Sequence, residues 1–104
     1  MKMICFNKIM LIGYLSTDVK TQKSDSGKIY AEFKVATYEQ TGSKDSPETA
    51  IRTDWHDIVV TGKTAENCNK ILKKGSKVLV EGKIRNSDRS GRDYDIIASD
   101  ITFI

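Results

Sequence analysis

A chain of 104 residues with 38% apolar and 30% charged side chains has room for one domain and one modest core, which excludes a disordered polymer. Seventeen Lys and Arg against 14 Asp and Glu leave a net charge of +3, a mild bias that permits a polyanionic partner without demanding one. No apolar run approaches the ~20 residues of a membrane span, and residues 1–6 do not read as a secretory leader, so an intracellular or organellar protein is expected, with no membrane partner.

The first strand is predicted over residues 6–15, with Ile9, Leu11 and Gly13 on one face and Met10, Ile12 and Tyr14 on the other. A strand apolar on both faces implies that its second face meets another surface, such as a partner subunit. Residues 21–28 are polar and read as a turn. The second strand, 28–38, alternates cleanly: Ile29, Ala31, Phe33, Val35 and Thr37 face one way, and Tyr30, Glu32, Lys34, Ala36 and Tyr38 the other. Residues 39–52, with Gly42 and Pro47, read as a loop. The third strand, 53–61, puts His56, Ile58 and Val60 on one face and Trp55, Asp57, Val59 and Thr61 on the other.

A helix is predicted over 64–74, capped by Thr64, with Glu66 in its first turn and Ala65, Cys68, Ile71 and Leu72 on one stripe. Lys73 and Lys74 suit its C-terminal end, and Gly75 stops it. The fourth strand is 77–85, the turn 86–92, and the fifth strand 94–104. The two cysteines, Cys5 and Cys68, form neither a CxxC nor a Cys/His metal spacing and read as free thiols.

Little in this chain suits catalysis. His56 is the sole histidine and lies on an apolar strand face, where burial or an interface role is expected. Asp54 and Asp57 fall on opposite faces of their strand, so no carboxylate dyad is expected, and no GxSxG, HExxH or P-loop is present. The protein is therefore read as a non-enzyme, with no metal and no cofactor. What remains is a surface. Tyr30, Lys34, Tyr38 and Trp55 share the outer side of the second and third strands, and single-stranded nucleic acid is held by rings that stack on bases and cations that follow the backbone. Lys20, Lys23, Lys28, Lys44, Arg52, Lys63, Lys83, Arg85, Arg89 and Arg92 lie in or near loops that could extend such a groove. The element order, three strands, a helix and two strands, fits an all-β, five-stranded Greek-key barrel (OB-fold) with one α-helix between strands 3 and 4, a single domain over 1–104.

Distinct short motifs follow one another along nearly the whole chain: Asn7-Lys8-Ile9-Met10-Leu11-Ile12-Gly13, Phe33-Lys34-Val35-Ala36-Thr37, Thr53-Asp54-Trp55-His56, Gly62-Lys63, Lys74-Gly75-Ser76 and Val80-Glu81-Gly82-Lys83-Ile84-Arg85. In this order and spacing they resemble the bacterial-type single-stranded DNA-binding proteins. The resemblance implies a homo-oligomer, a tetramer with a dimer as the alternative. Such an assembly would bind and protect single-stranded DNA, without sequence preference, during replication, recombination and repair. It implies a cytoplasmic, nucleoid-associated location, or an organelle matrix. It puts Trp55 at a base-stacking position and His56 at a subunit interface. The expected DNA contacts are Trp55, Tyr38 and Tyr30 for bases, with Lys34, Lys8, Lys63, Lys83, Arg85 and Arg52 for phosphates.

The chain also departs from that pattern. Thr41, Thr61 and Ser87 stand where the family often carries rings, and Asp57 stands where a basic or polar residue is usual. Tyr30, Tyr38 and Tyr14 are expected to compensate. The chain stops at Ile104 without an acidic tail, so tail-mediated recruitment of repair enzymes is not expected if that is the natural end. Two rival readings are a primosomal-type OB-fold replication protein acting as a dimer, and an OB-fold protein-interaction module without DNA binding.

Overall fold

The computed structural model describes residues 3–42 and 50–104; Lys44 lies outside the described residues. The elements in order are β1 (Ile9–Leu15), β2 (Lys20–Lys23), β3 (Ile29–Thr41), β4 (Ala50–Thr61), α1 (Gly62–Ile71), β5 (Lys77–Asn86) and β6 (Tyr94–Phe103). β1 pairs antiparallel with β5, and β5 with β6; β6 runs parallel to β4, and β4 antiparallel to β3. β3 returns to β1 through Tyr14↔Ala36 and Leu15↔Val35, which closes a ring of five strands. β2 resumes the path of β1 after a break and pairs with β3 from Lys20↔Glu32 to Lys23↔Ile29. Six segments thus build the expected five-stranded barrel, because β1 and β2 act as one interrupted strand.

The break is held in place from the far side of the chain. The Lys74 backbone N–H donates to Asp18 Oδ1 at 2.9 Å, while Leu15 N–H donates to the Ser76 carbonyl and Gly75 N–H to the Leu15 carbonyl, each at 2.8 Å. The segment after α1 is thereby tied to the corner between β1 and β2.

Alternation directs one face of each strand inward. Leu15, Phe33, Val35, Ile58, Val60, Val78, Val80, Ile96 and Ile101 fill the interior, and Ala65, Cys68 and Leu72 join them from α1 and its end. Burial pushes the Cys68 thiol up to about 11, so this cysteine behaves as a small apolar side chain. Cys5 is exposed.

Several boundaries differ from the sequence reading. β1 begins at Ile9 rather than residue 6, and Met3, Ile4 and Phe6 are exposed. β2 overlaps the start of the predicted turn. β3 and β4 continue through the ends of the predicted loop, to Gln40↔Ile51 and Thr41↔Ala50. The helix starts at Gly62, whose φ of +69° turns the chain directly out of β4. Its N-cap is Thr61, without a side-chain hydrogen bond, and no acidic residue lies in its first turn. Thr64 therefore does not cap it, Glu66 lies beyond its first turn, and Lys73 and Lys74 lie past its last residue, Ile71, leaving Lys70 as the basic residue of the last turn. Ile71 is exposed, so the buried stripe is Ala65, Cys68 and Leu72.

Candidate nucleic-acid interface

The outward side chains of β1, β3 and β4 set the surface. Tyr14, Ala36 and Trp55 stand in one row, since Tyr14 pairs with Ala36 and Ala36 with Trp55. Directly paired residues point to the same side of a sheet. Tyr38 lies two residues beyond Ala36 on the same face, and its ring centroid is 6.1 Å from that of Tyr14, tilted by 43°. Trp55 is 63% exposed and Tyr38 59% exposed. Ala36 faces outward yet is buried, and it forms a floor between the larger rings. Lys77, opposite Tyr14 on β5, holds its Nζ 5.8 Å from the Tyr14 ring centroid. The result is three open rings with a cation at the edge. Such rings present apolar faces to any flat, stackable group.

The structure brings together only part of the predicted site. Trp55, Tyr38 and Lys34 share this wall, with Lys34 opposite Asp57 at 3.9 Å. Tyr30 lies eight residues from Tyr38 along β3, roughly 26 Å at the usual strand rise, and outside the cluster. Its hydroxyl donates to Gln22 Oε1 at 2.7 Å, and the Arg89 guanidinium sits over its ring at 5.8 Å. Arg52 falls on the alternate face of β4 from Trp55 and contacts Asp54 at 3.3 Å. Lys8 precedes β1 and pairs with Glu81 at 3.7 Å. Lys63 lies at the start of α1, beside a cavity of about 380 Å³ shared with Lys28 and Glu66. Lys83 borders a cavity of about 370 Å³ with Phe6 and Lys8, whereas Arg85 borders one of about 400 Å³ with Lys28, Tyr30 and Arg89. Lys8 and Lys83 thus share one cavity, the Lys63 and Arg85 cavities meet at Lys28, and none of these three cavities is lined by Trp55 or Tyr38. His56 is half-buried on the core side of β4, its Nε2 2.9 Å from Thr37 Oγ1.

Lys77 was missed because nothing in the sequence shows its register against Tyr14. A second cluster was missed for the same reason. Glu32 occupies an outward position on β3, yet it is only 9% exposed, because the turn between β5 and β6 folds over it. Arg89 and Arg92 from that turn both donate to Glu32 Oε2, Arg92 at 3.4 Å. The Glu32 hydrogen bond holds the Arg89 guanidinium above its ordinary pKa.

Barrel and surface together define an oligonucleotide-binding-type β-barrel with an open aromatic wall. The protein-family model described as "Single-strand binding protein family" matches residues 6–104, and the chain belongs to that family. It is 44% identical over 80 residues to "Single-stranded DNA-binding protein 1" of Chlorobaculum tepidum, covering 76% of this chain and 48% of that protein. It is 34% identical over 104 residues to the "Single-stranded DNA-binding protein" of Neisseria meningitidis, covering 94% of this chain and 59% of that protein. The chain thus spans about half the length of the curated relatives it matches. Among solved structures, "Plasmodium falciparum SSB complex with ssDNA" superposes with a TM-score of 0.82 at 30% identity, covering 100% of this chain and 99% of the other.

Proposed function

We propose that this protein binds single-stranded DNA without sequence preference and without chemical change, and protects it in replication, recombination and repair. The observation that carries the reading is the wall of Tyr14, Tyr38 and Trp55 around Ala36. Bases stack on the exposed rings, and Lys34, Lys77 and neighbouring cations meet the phosphates. Stacking tolerates any base, because every base has a π-face, so no sequence code is needed. Kinship with proteins named for single-stranded DNA binding supports the same ligand. A bacterial nucleoid, where single strands are exposed, is the matching location.

The test uses Trp55, the only tryptophan, as its reporter. Oligo-dT is expected to quench its fluorescence, while duplex DNA of equal length leaves it nearly unchanged. The quenching midpoint moves to higher DNA concentration as salt rises, since phosphate contacts release counterions. No quenching, together with no retention of labelled oligo-dT in a gel shift, would overturn the reading in favour of a protein-interaction barrel.

The protein also forms a homo-oligomer through the Met10–Ile12 end of the outer face of β1, away from Tyr14. Met10 and Ile12 project from that face and are 56% and 57% exposed. An exposed apolar pair on the second face of a strand whose first face is in the core suits contact with another surface. Ile12→Glu places a charge there and is expected to lower the light-scattering mass, to a monomer from a dimer or to a dimer from a tetramer that keeps a second interface. An unchanged mass would remove β1 from the contact. Measurement of the wild-type mass distinguishes a tetramer from the dimer of the primosomal-type reading.

A further inference from the structure

Three acids and three bases alternate on the wall above the aromatic cluster. Arg89 and Arg92 share Glu32 Oε2; Arg92 Nε is also 3.7 Å from Asp57 Oδ2, and Arg92 Nη1 is 3.7 Å from Asp95 Oδ1. Lys34 completes the chain at Asp57. The charges of Lys34, Arg89 and Arg92 are thus matched by those of Glu32, Asp57 and Asp95. Apart from Asp95, these side chains line one cavity of about 250 Å³ on the same wall as Trp55. Asp57 is two residues from Trp55 on the same face of β4. A strand of DNA crossing the rings in that direction would meet cations already paired with carboxylates.

We propose that Glu32 and Asp57 are built-in competitors of the DNA phosphates: they hold Arg89, Arg92 and Lys34 in the free protein, and bound DNA must displace them. This inference rests on the reading of the protein as a single-strand binder. Partial burial strengthens the internal pairs relative to water, so a phosphate gains only the difference between two anionic partners. The displaced carboxylates then collect cations from solution. That uptake offsets part of the counterion release, and the salt dependence becomes shallower than the number of nearby Lys and Arg implies. The arrangement sets affinity and limits retention of the strand.

Fluorescence anisotropy of labelled oligo-dT tests the inference with Glu32→Gln, Asp57→Asn, Arg92→Gln and the Asp57→Asn/Arg92→Gln double variant. Circular dichroism melts identify folded variants. If Glu32→Gln fails to fold, Asp57→Asn carries the test, because Asp57 is more exposed and does not anchor Arg89. Each acid-to-amide change is expected to tighten binding about fivefold or more at matched low salt and to steepen its salt dependence. Arg92→Gln is expected to weaken binding at least about threefold more in the Asp57→Asn background than in wild type, because the residues are coupled. If wild type binds but neither amide variant binds more tightly, the competitor role is wrong and the DNA-binding reading stands. Equal Arg92→Gln costs in the two backgrounds would also overturn it. If no form binds, the single-strand reading itself fails and this inference falls with it.

Discussion

Trp55→Ala is expected to weaken binding of oligo-dT by roughly 5- to 150-fold, the loss of about 1–3 kcal/mol associated with one stacked base. The indole is 63% exposed, so its removal opens no cavity in the core and the melting temperature should change little. Trp55→Phe retains a π-face and should keep most of the affinity. Anisotropy with labelled oligo-dT is the suitable measurement, because the variant lacks the intrinsic reporter. Tyr38→Ala should also weaken binding. Its effect need not add to that of Trp55→Ala, since both residues border Ala36 and Tyr38 contacts Tyr14. If Trp55→Ala binds as tightly as wild type, the aromatic wall is not the route of the strand.

Much of this wall was legible because β3 and β4 alternate. Residues 30, 34 and 38 on one strand and 55 and 57 on the next had to share a face once residues 33, 35, 58 and 60 were turned inward. Other features carry no periodic signal. β2 is Lys-Thr-Gln-Lys, with no apolar residue to bury, and it exists through pairing with β3. The outer end of the β3–β4 hairpin extends the ladder where polar side chains suggest a loop. Glu32 shows the limit most clearly. Alternation correctly turns it outward, but an outward residue becomes buried when a distant turn closes over it. No local pattern identifies the arginines of that turn as its partners.

Nor could spacing alone assemble the cations. The sequence reading assigns Lys8, Lys63, Lys83, Arg85 and Arg52 to one ligand, whereas the barrel puts Lys8 and Lys83 on one cavity, Arg85 and Lys63 on two others that meet at Lys28, and Arg52 on the opposite face of β4 from Trp55. A closed barrel turns residues that neighbour in sequence toward different sides. Lys77 is the converse case. It is distant in sequence from the aromatic residues, and the β1–β5 register delivers it to Tyr14.

The largest expected loss of stability comes from Gly82→Ala. Gly82 sits at an irregularity in the β5–β6 ladder, and a Cβ there would run into the Ile97 carbonyl oxygen, with its carbon at 2.8 Å and Ala98 Cα at 2.9 Å. Every obstacle is backbone, so no side chain can rotate away. β5 is also paired on its other side with β1, and shifting it would disturb both ladders. A cost of about 3 kcal/mol is expected, toward the upper end for overpacking. For a domain of this size that lowers the melting temperature by roughly 12–24 °C. Gly91→Ala provides the contrast. Gly91 has a φ of +87° and open space around its Cβ position, so the methyl group meets only conformational strain of about 1–2 kcal/mol. Thermal melts followed by circular dichroism should rank Gly82→Ala well below Gly91→Ala. The reverse order would mean that β6 yields to the methyl group and that the close approach of the two strands is not a condition of barrel closure.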